Sequence, residues 1–210
     1  MPYLINMDDD VENFLTSAKQ YLRDLVAPFN KIFRATLKED ASVFWDSKGV
    51  DNSDAAVWSA RAYGDDHSLT KTLRGDAPWI AELIKRRNAM EHPGGRCGTL
   101  ILENYRLAGP TFAMPSWRRD SAGTKGNSSL LLPDLDHYLI AMLELGEEIV
   151  AQGVKIRPVH EHLDVYEIPA DKRDRSNPKR FKVGLDTFLS EKLAEASTRL
   201  DRSSNVASEG

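Results

Sequence analysis

Arg87, Asn88 and His92 are the residues of this chain whose types and spacing could do chemistry. A histidine can move a proton near neutral pH. An arginine presents a rigid fork of donors that matches a phosphate. An asparagine between them can orient either one. Together they suit cleavage of RNA without a metal, where the 2′-hydroxyl attacks its own phosphodiester. An ordinary structural reading stands beside this one. Arg87 and Glu91 are spaced for a helix ion pair, and His92 near a helix C-terminus interacts favourably with the macrodipole.

The element that must position them is the stretch from Asp76 to Gly95. Asp76 has the chemistry of an N-cap. Pro78 suits a first turn, where no N–H is needed, and Pro93-Gly94-Gly95 stops the helix. The spacing predicts a helix over Asp76–Met90 with an apolar stripe of Ile80, Leu83 and Ile84. Continued at helical spacing, that stripe reaches Arg87, Asn88 and Glu91, with His92 one turn past Asn88. In a straight helix Arg87 and His92 lie roughly 140° apart. The helix must therefore unwind at Glu91-His92, or the two residues must come from different protomers.

Arg87-Asn88-Ala89-Met90-Glu91-His92 resembles the motif of the HEPN family, an arginine, a polar residue and then a histidine. Arg157 and His162 repeat the spacing, but Pro158 keeps that copy out of a helix interior. The resemblance rests on one helix. It implies a mainly α fold, a HEPN-like helical bundle. It also implies a metal-independent endoribonuclease whose site, with Arg87, Asn88 and His92 catalytic, forms between the two protomers of a homodimer. Such proteins serve as toxins or defence effectors, so RNA and a cognate antitoxin or regulatory protein are the implied partners. Other members are non-catalytic scaffolds or nucleotide-binding modules.

A chain of 210 residues with a net charge of −4 suits one ordinary domain rather than a bulk nucleic-acid binder with a strongly basic face. Local cations remain available for RNA: Arg86, Arg118, Arg119, Lys179 and Arg180. The single cysteine, Cys97, excludes an internal disulfide and suits a reducing cytoplasm. The acidic start and short apolar runs predict neither a signal peptide nor a membrane span. No cofactor or metal is assigned. His160, His162 and Asp164 would share one strand face, a pattern that can chelate a metal or simply face solvent.

Along the chain, Val11, Phe14, Leu15, Ala18, Leu22, Leu25, Val26, Phe29, Ile32 and Phe33 predict a long helix over Asp8–Leu37, kinked or split by Pro28. Asp9 with Glu12 would make a variant capping box. Asp54–Tyr63 reads as a short helix capped by Asp54, Gly64–Arg74 as loop containing a solvated His67, and Pro133–Gln152 as a helix ended by Gly153. Gly146 on its inner face would let another element approach closely. The helices Asp8–Leu37, Asp76–Met90 and Pro133–Gln152 should pack together. Two appended β-hairpins are expected, at about 98–117 around Ala108-Gly109-Pro110 and at 159–185. Arg118–Ser129 and the basic stretch Ala170–Lys182 read as poorly ordered. Residues 1–202 would form the single domain, with a last helix over Phe188–Leu200 and a disordered tail from 203 to 210.

Overall fold

The computed structural model describes residues 3–46, 52–121, 123–158, 160–174, 179–185 and 192. The expected last helix and tail lie outside them, but for Lys192. The chain forms two compact units, Met1–Glu148 and Ile149–Gly210.

In the first unit, helix α1 spans Met7–Asp24 and buries Val11, Leu15, Ala18 and Leu22 along one stripe. Its first turn carries Asp8, Asp9 and Asp10, which favour the positive end of the dipole. No side chain caps it: Asn6, left-handed at φ 59°, precedes it, and the expected Asp9–Glu12 box does not form. Helix α2 follows at Val26–Phe33. The break falls at Asp24–Leu25, where Pro28 has no N–H for the Asp24 carbonyl. Helix α2 stops at Arg34, left-handed at φ 57°, earlier than the sequence suggested. Asn30 then exchanges hydrogen bonds with the Leu37 main chain, Nδ2 donating at 2.8 Å and Oδ1 accepting at 3.0 Å.

A 3-10 turn at Ala41–Phe44 leads to helix α3, Asp54–Tyr63. Ser53, not Asp54, caps α3 by accepting from the Ala56 N–H. Rings from α2, the turn and α3 then interlock: Phe29 meets Phe33, Phe44 and Trp58 with centroids 4.8, 6.0 and 5.6 Å apart.

Helix α4 runs Ser68–Glu91 and starts well before Asp76. His67 is its N-cap, with Nδ1 accepting from the Leu69 N–H, and is not a solvated loop residue. Asp76 instead accepts from the Trp79 indole at 2.8 Å. Pro78 lies inside the helix. The extension holds because Leu69 and Leu73 are buried in the core and Thr70 shares a buried 2.8 Å hydrogen bond with Ser59 of α3. That burial outweighs a lost hydrogen bond and the local cap signal.

After α4 the chain forms strands β1 (Thr99–Glu103), β2 (Arg106–Ala108), β3 (Thr111–Ala113), β4 (Ser116–Asp120) and β5 (Ser129–Leu130). Strands β2 and β3 pair around Gly109-Pro110, and β1 and β4 continue the same antiparallel register to Thr99 opposite Asp120. The hairpin is thus longer than expected and draws Arg118 and Arg119 into β4. The expected poorly ordered loop is a bonded turn, with the Gly126 N–H on Asp120 Oδ1 at 2.9 Å and Ser121 exchanging main-chain bonds with Thr124.

Helix α5, Leu131–Ile156, begins two residues before Pro133 and runs through Gly153. Within the first unit, Tyr21 of α1 lies over Gly146 and donates to the Met142 carbonyl at 2.8 Å; a Cβ on Gly146 would stand 2.3 Å from that hydroxyl. Trp79 of α4 meets Tyr138 at 6.4 Å between centroids, so α5 reaches both other long helices.

The mainly α, HEPN-like bundle is overturned. The chain is mixed α/β, with 55% helix and 19% strand in three small antiparallel sheets. Nor are its strands mere appendages, because Trp117 of β4 is fully buried. In the second unit, strands β6 (Leu163–Glu167) and β7 (Phe181–Leu185) pair antiparallel, Val165 opposite Val183. Ala170–Lys172, within the stretch read as poorly ordered, forms a 3-10 turn. His160 and His162 fall in the turn before β6 rather than on a strand, their rings 5.3 Å apart. Among the described residues no group of three or more His, Cys, Asp or Glu is placed to hold a metal, and no helix is long and apolar enough to cross a membrane.

Candidate functional site

The C-terminal end of α4 opens into a cleft of about 530 Å³. Helix α4 supplies Arg87, Asn88 and Glu91, its cap supplies His92, and the following turn supplies Arg96 and Cys97. Lys19 comes across from α1. Helical geometry ends at Glu91: His92 sits at φ −130° and ψ 70°. That unwinding brings Arg87 and His92 into the wall of one cleft within one chain.

The turn is built by its glycines. Gly94 and Gly98 have φ of 76° and 84°, where side-chain-bearing residues are strained. The Gly94 N–H donates to the Gly98 carbonyl at 3.1 Å and to Thr99 Oγ1 at 2.9 Å. Arg96 and Cys97 are thereby held beside the helix end.

Glu91 sits between the two candidate catalytic groups. Both terminal nitrogens of Arg87 contact its carboxylate, Nη2 donating to Oε1 at 2.7 Å. His92 Nε2 lies 3.2 Å from Oε2 of the same group. The Arg87 side chain is 17% exposed and that of His92 is 71% exposed. Asn88 accepts from Arg87 Nη1 at 3.4 Å, a long contact. Its link to His92 is through the main chain, the His92 N–H donating to the Asn88 carbonyl at 3.0 Å.

Lys19 is held below the ordinary lysine range, first by burial and then by repulsion from Arg87, with Asp40 pulling the other way. Among the described residues three cations, Lys19, Arg87 and Arg96, thus face a space containing one carboxylate, in a chain whose net charge is −4. Such a concentration of positive charge suits a bound anion.

No family model, curated protein or solved structure matches the chain.

The other cations expected on RNA separate into distinct environments. Arg86 is only 8% exposed and points away from solvent. Its guanidinium lies 4.1 Å over the Trp117 ring, bonds Glu82 at 3.2 Å and stands 3.7 Å from Asp134. It is a core residue because those partners converge on it. Arg118 is engaged by Glu103 at 2.6 Å and Asp120 at 3.2 Å. Arg119 donates to the Cys97 carbonyl at 3.0 Å and lines a second recess described below. Lys179 and Arg180 belong to the second unit, where Arg180 lies 5.2 Å over Phe181. Sequence reasoning gave Lys19, Lys85, Trp45 and Arg96 no role in a site, and it weighed Glu91 only as an ion-pair partner. Nothing local marks Lys19, which needs α1 and α4 packed together.

The Glu103–Arg118 pair makes a pH prediction. The hydrogen bond from Arg118 holds the Glu103 carboxyl below its ordinary value of 4.5; burial opposes this and Arg106 adds to it. A depressed carboxyl stabilises the fold fully above the unfolded value and loses that contribution as pH falls through the folded one. Acid unfolding of Glu103→Gln should therefore depend less steeply on pH below about 4.5 than that of the natural protein. Identical acid limbs, read by circular dichroism, would remove the pair from the account.

Proposed function

We propose that the Arg87–His92 cleft binds single-stranded RNA and cleaves it as a metal-independent endoribonuclease. The observation that carries the reading is that one cleft holds His92, Glu91 and the three cations Lys19, Arg87 and Arg96. The cations hold the phosphodiester and the negative charge that grows on it during attack. The substrate 2′-hydroxyl loses its proton to a base in the cleft, and His92, oriented by Glu91, is the group suited to take it. The 2′-oxygen bonds to phosphorus as the bond to the 5′-oxygen breaks. The leaving oxygen takes up a proton, giving a 2′,3′-cyclic phosphate and a 5′-hydroxyl. The likeness of Arg87-Asn88-Ala89-Met90-Glu91-His92 to the HEPN motif supports the same roles.

One observation favours a second reading. Glu91 already occupies both terminal nitrogens of Arg87, which suits a non-catalytic module that binds a nucleotide in the same cleft.

The test mixes purified protein with mixed-sequence RNA and a chelator. Cleavage with cyclic-phosphate ends is expected, and His92→Ala should slow it about 100-fold or more, the usual contribution of a proton-transfer group. Unchanged cleavage in His92→Ala would sink these roles, and an inactive protein that still binds RNA would establish the second reading. The homodimer that the resemblance implies would add a second His92 to the phosphodiester. Sedimentation at rising protein concentration tests for it.

A further inference from the structure

The cleft does not end at Arg96. A second recess of about 330 Å³ shares Asn88, Arg96 and Cys97 with it and is completed by Trp45, Lys85 and Arg119. Three of those six residues are cations, and no carboxylate lines the recess among the described residues. Its charge is thus less balanced than that of the main cleft, where Glu91 is present. Arg119 is fixed from behind, Nη1 on the Cys97 carbonyl at 3.0 Å and Nη2 3.5 Å from Glu82. Its Nε and the Trp45 indole Nε1 are buried donors without a hydrogen-bond partner among the described residues.

We infer that this recess takes the neighbouring nucleotide of a single strand, its phosphate on Lys85, Arg96 and Arg119 and its base against Trp45. The inference rests on the proposed RNA cleft and adds a subsite to it. An indole offers a stacking surface to any base, and cations beside it track the backbone; this pairing recurs in single-strand binders. Because Arg96 and Asn88 stand in the wall common to both spaces, a strand threaded through them places consecutive nucleotides in the two. The cleft therefore prefers an oligonucleotide to a mononucleotide, with little preference among bases.

The test uses the full chain, a chelator and ligands that cannot be cleaved: inorganic phosphate, a 2′-O-methyl mononucleotide and a 2′-O-methyl hexanucleotide, titrated by calorimetry. The hexanucleotide should bind more tightly than the mononucleotide. Trp45→Ala should weaken the hexanucleotide by about 5- to 150-fold, the range for losing one stacked base, while changing the mononucleotide less. Lys85→Gln should weaken the hexanucleotide and reduce the salt slope of its binding by about 0.7, the value for one lost phosphate contact on a single strand. Should Trp45→Ala fail to fold, Lys85→Gln decides. Equal affinity for mononucleotide and hexanucleotide, or phosphate binding as tightly as either, overturns the inference, as does a hexanucleotide indifferent to both substitutions. Because these ligands carry no free 2′-hydroxyl, the result is independent of cleavage. Loss of the ribonuclease reading with a Trp45-dependent hexanucleotide leaves the subsite in place, and cleavage with no such dependence removes the subsite alone.

Discussion

Replacing Trp117 with alanine should lower stability by about 3–5 kcal/mol, the usual range for emptying a fully buried aromatic site. Trp117 is 0% exposed and joins three elements. Its indole N–H donates to Asp134 of α5 at 2.6 Å, its ring face carries the Arg86 guanidinium of α4 at 4.1 Å, and its centroid lies 6.2 Å from that of Tyr138. Alanine leaves a cavity and also strips a buried arginine of its aromatic surface. Asp134 keeps the Ser129 hydroxyl at 2.5 Å, so that carboxylate is not left bare. Domains of this size are stable by about 5–15 kcal/mol, so the variant should unfold at a much lower denaturant concentration. Trp117→Phe keeps most of the volume and should cost clearly less. A Trp117→Ala midpoint within about 1 kcal/mol of the natural protein would mean that β4 is not part of the core.

Gly98→Ala should be nearly as damaging, and it should also reach the cleft. Gly98 has φ 84°, and a Cβ there would stand 2.0 Å from the Asp120 carbonyl oxygen. The obstacle is main chain, so no side chain can swing aside. Left-handed strain alone costs about 1–3 kcal/mol, and the displaced strand adds to it. Cys97 and Arg96 precede Gly98 directly, and Asp120 follows Arg119, so relief of the clash moves residues on two sides of the second recess. We expect a loss of about 3 kcal/mol or more together with weakened oligonucleotide binding. Gly109→Ala is the control: its φ is 62°, but nothing stands within 4 Å of a Cβ there, so it should cost only the strain. Equal effects from the two substitutions would show that the close approach to β4 is unimportant.

The inner stripe of α1, the C-terminal half of α4 and the pairing of Val165 with Val183 follow from spacing in the sequence, because each is a local periodicity of apolar residues. The turn at Gly109-Pro110 is equally local. The unwinding at His92 is foreshadowed by Pro93-Gly94-Gly95, which cannot continue a helix. The start of α4 was decided elsewhere. Asp76 and Pro78 carry a strong cap signature, yet Leu69, Leu73 and the Thr70–Ser59 bond belong to packing against other elements, and their burial extends the helix past that signal. The mixed class was decided in the same way, since Trp117 reads as a weak strand residue until α4 and α5 close over it. Arg86 and Arg87 show the limit most sharply. They are neighbours of one type, and only the convergence of Trp117, Glu82 and Asp134 buries the first while Glu91 turns the second toward the cleft. Glu82 lies four residues back on the same helix, but the π face and the second carboxylate of this buried guanidinium come from other elements. Which arginine does so depends on where those elements lie, as does the arrival of Lys19 beside His92.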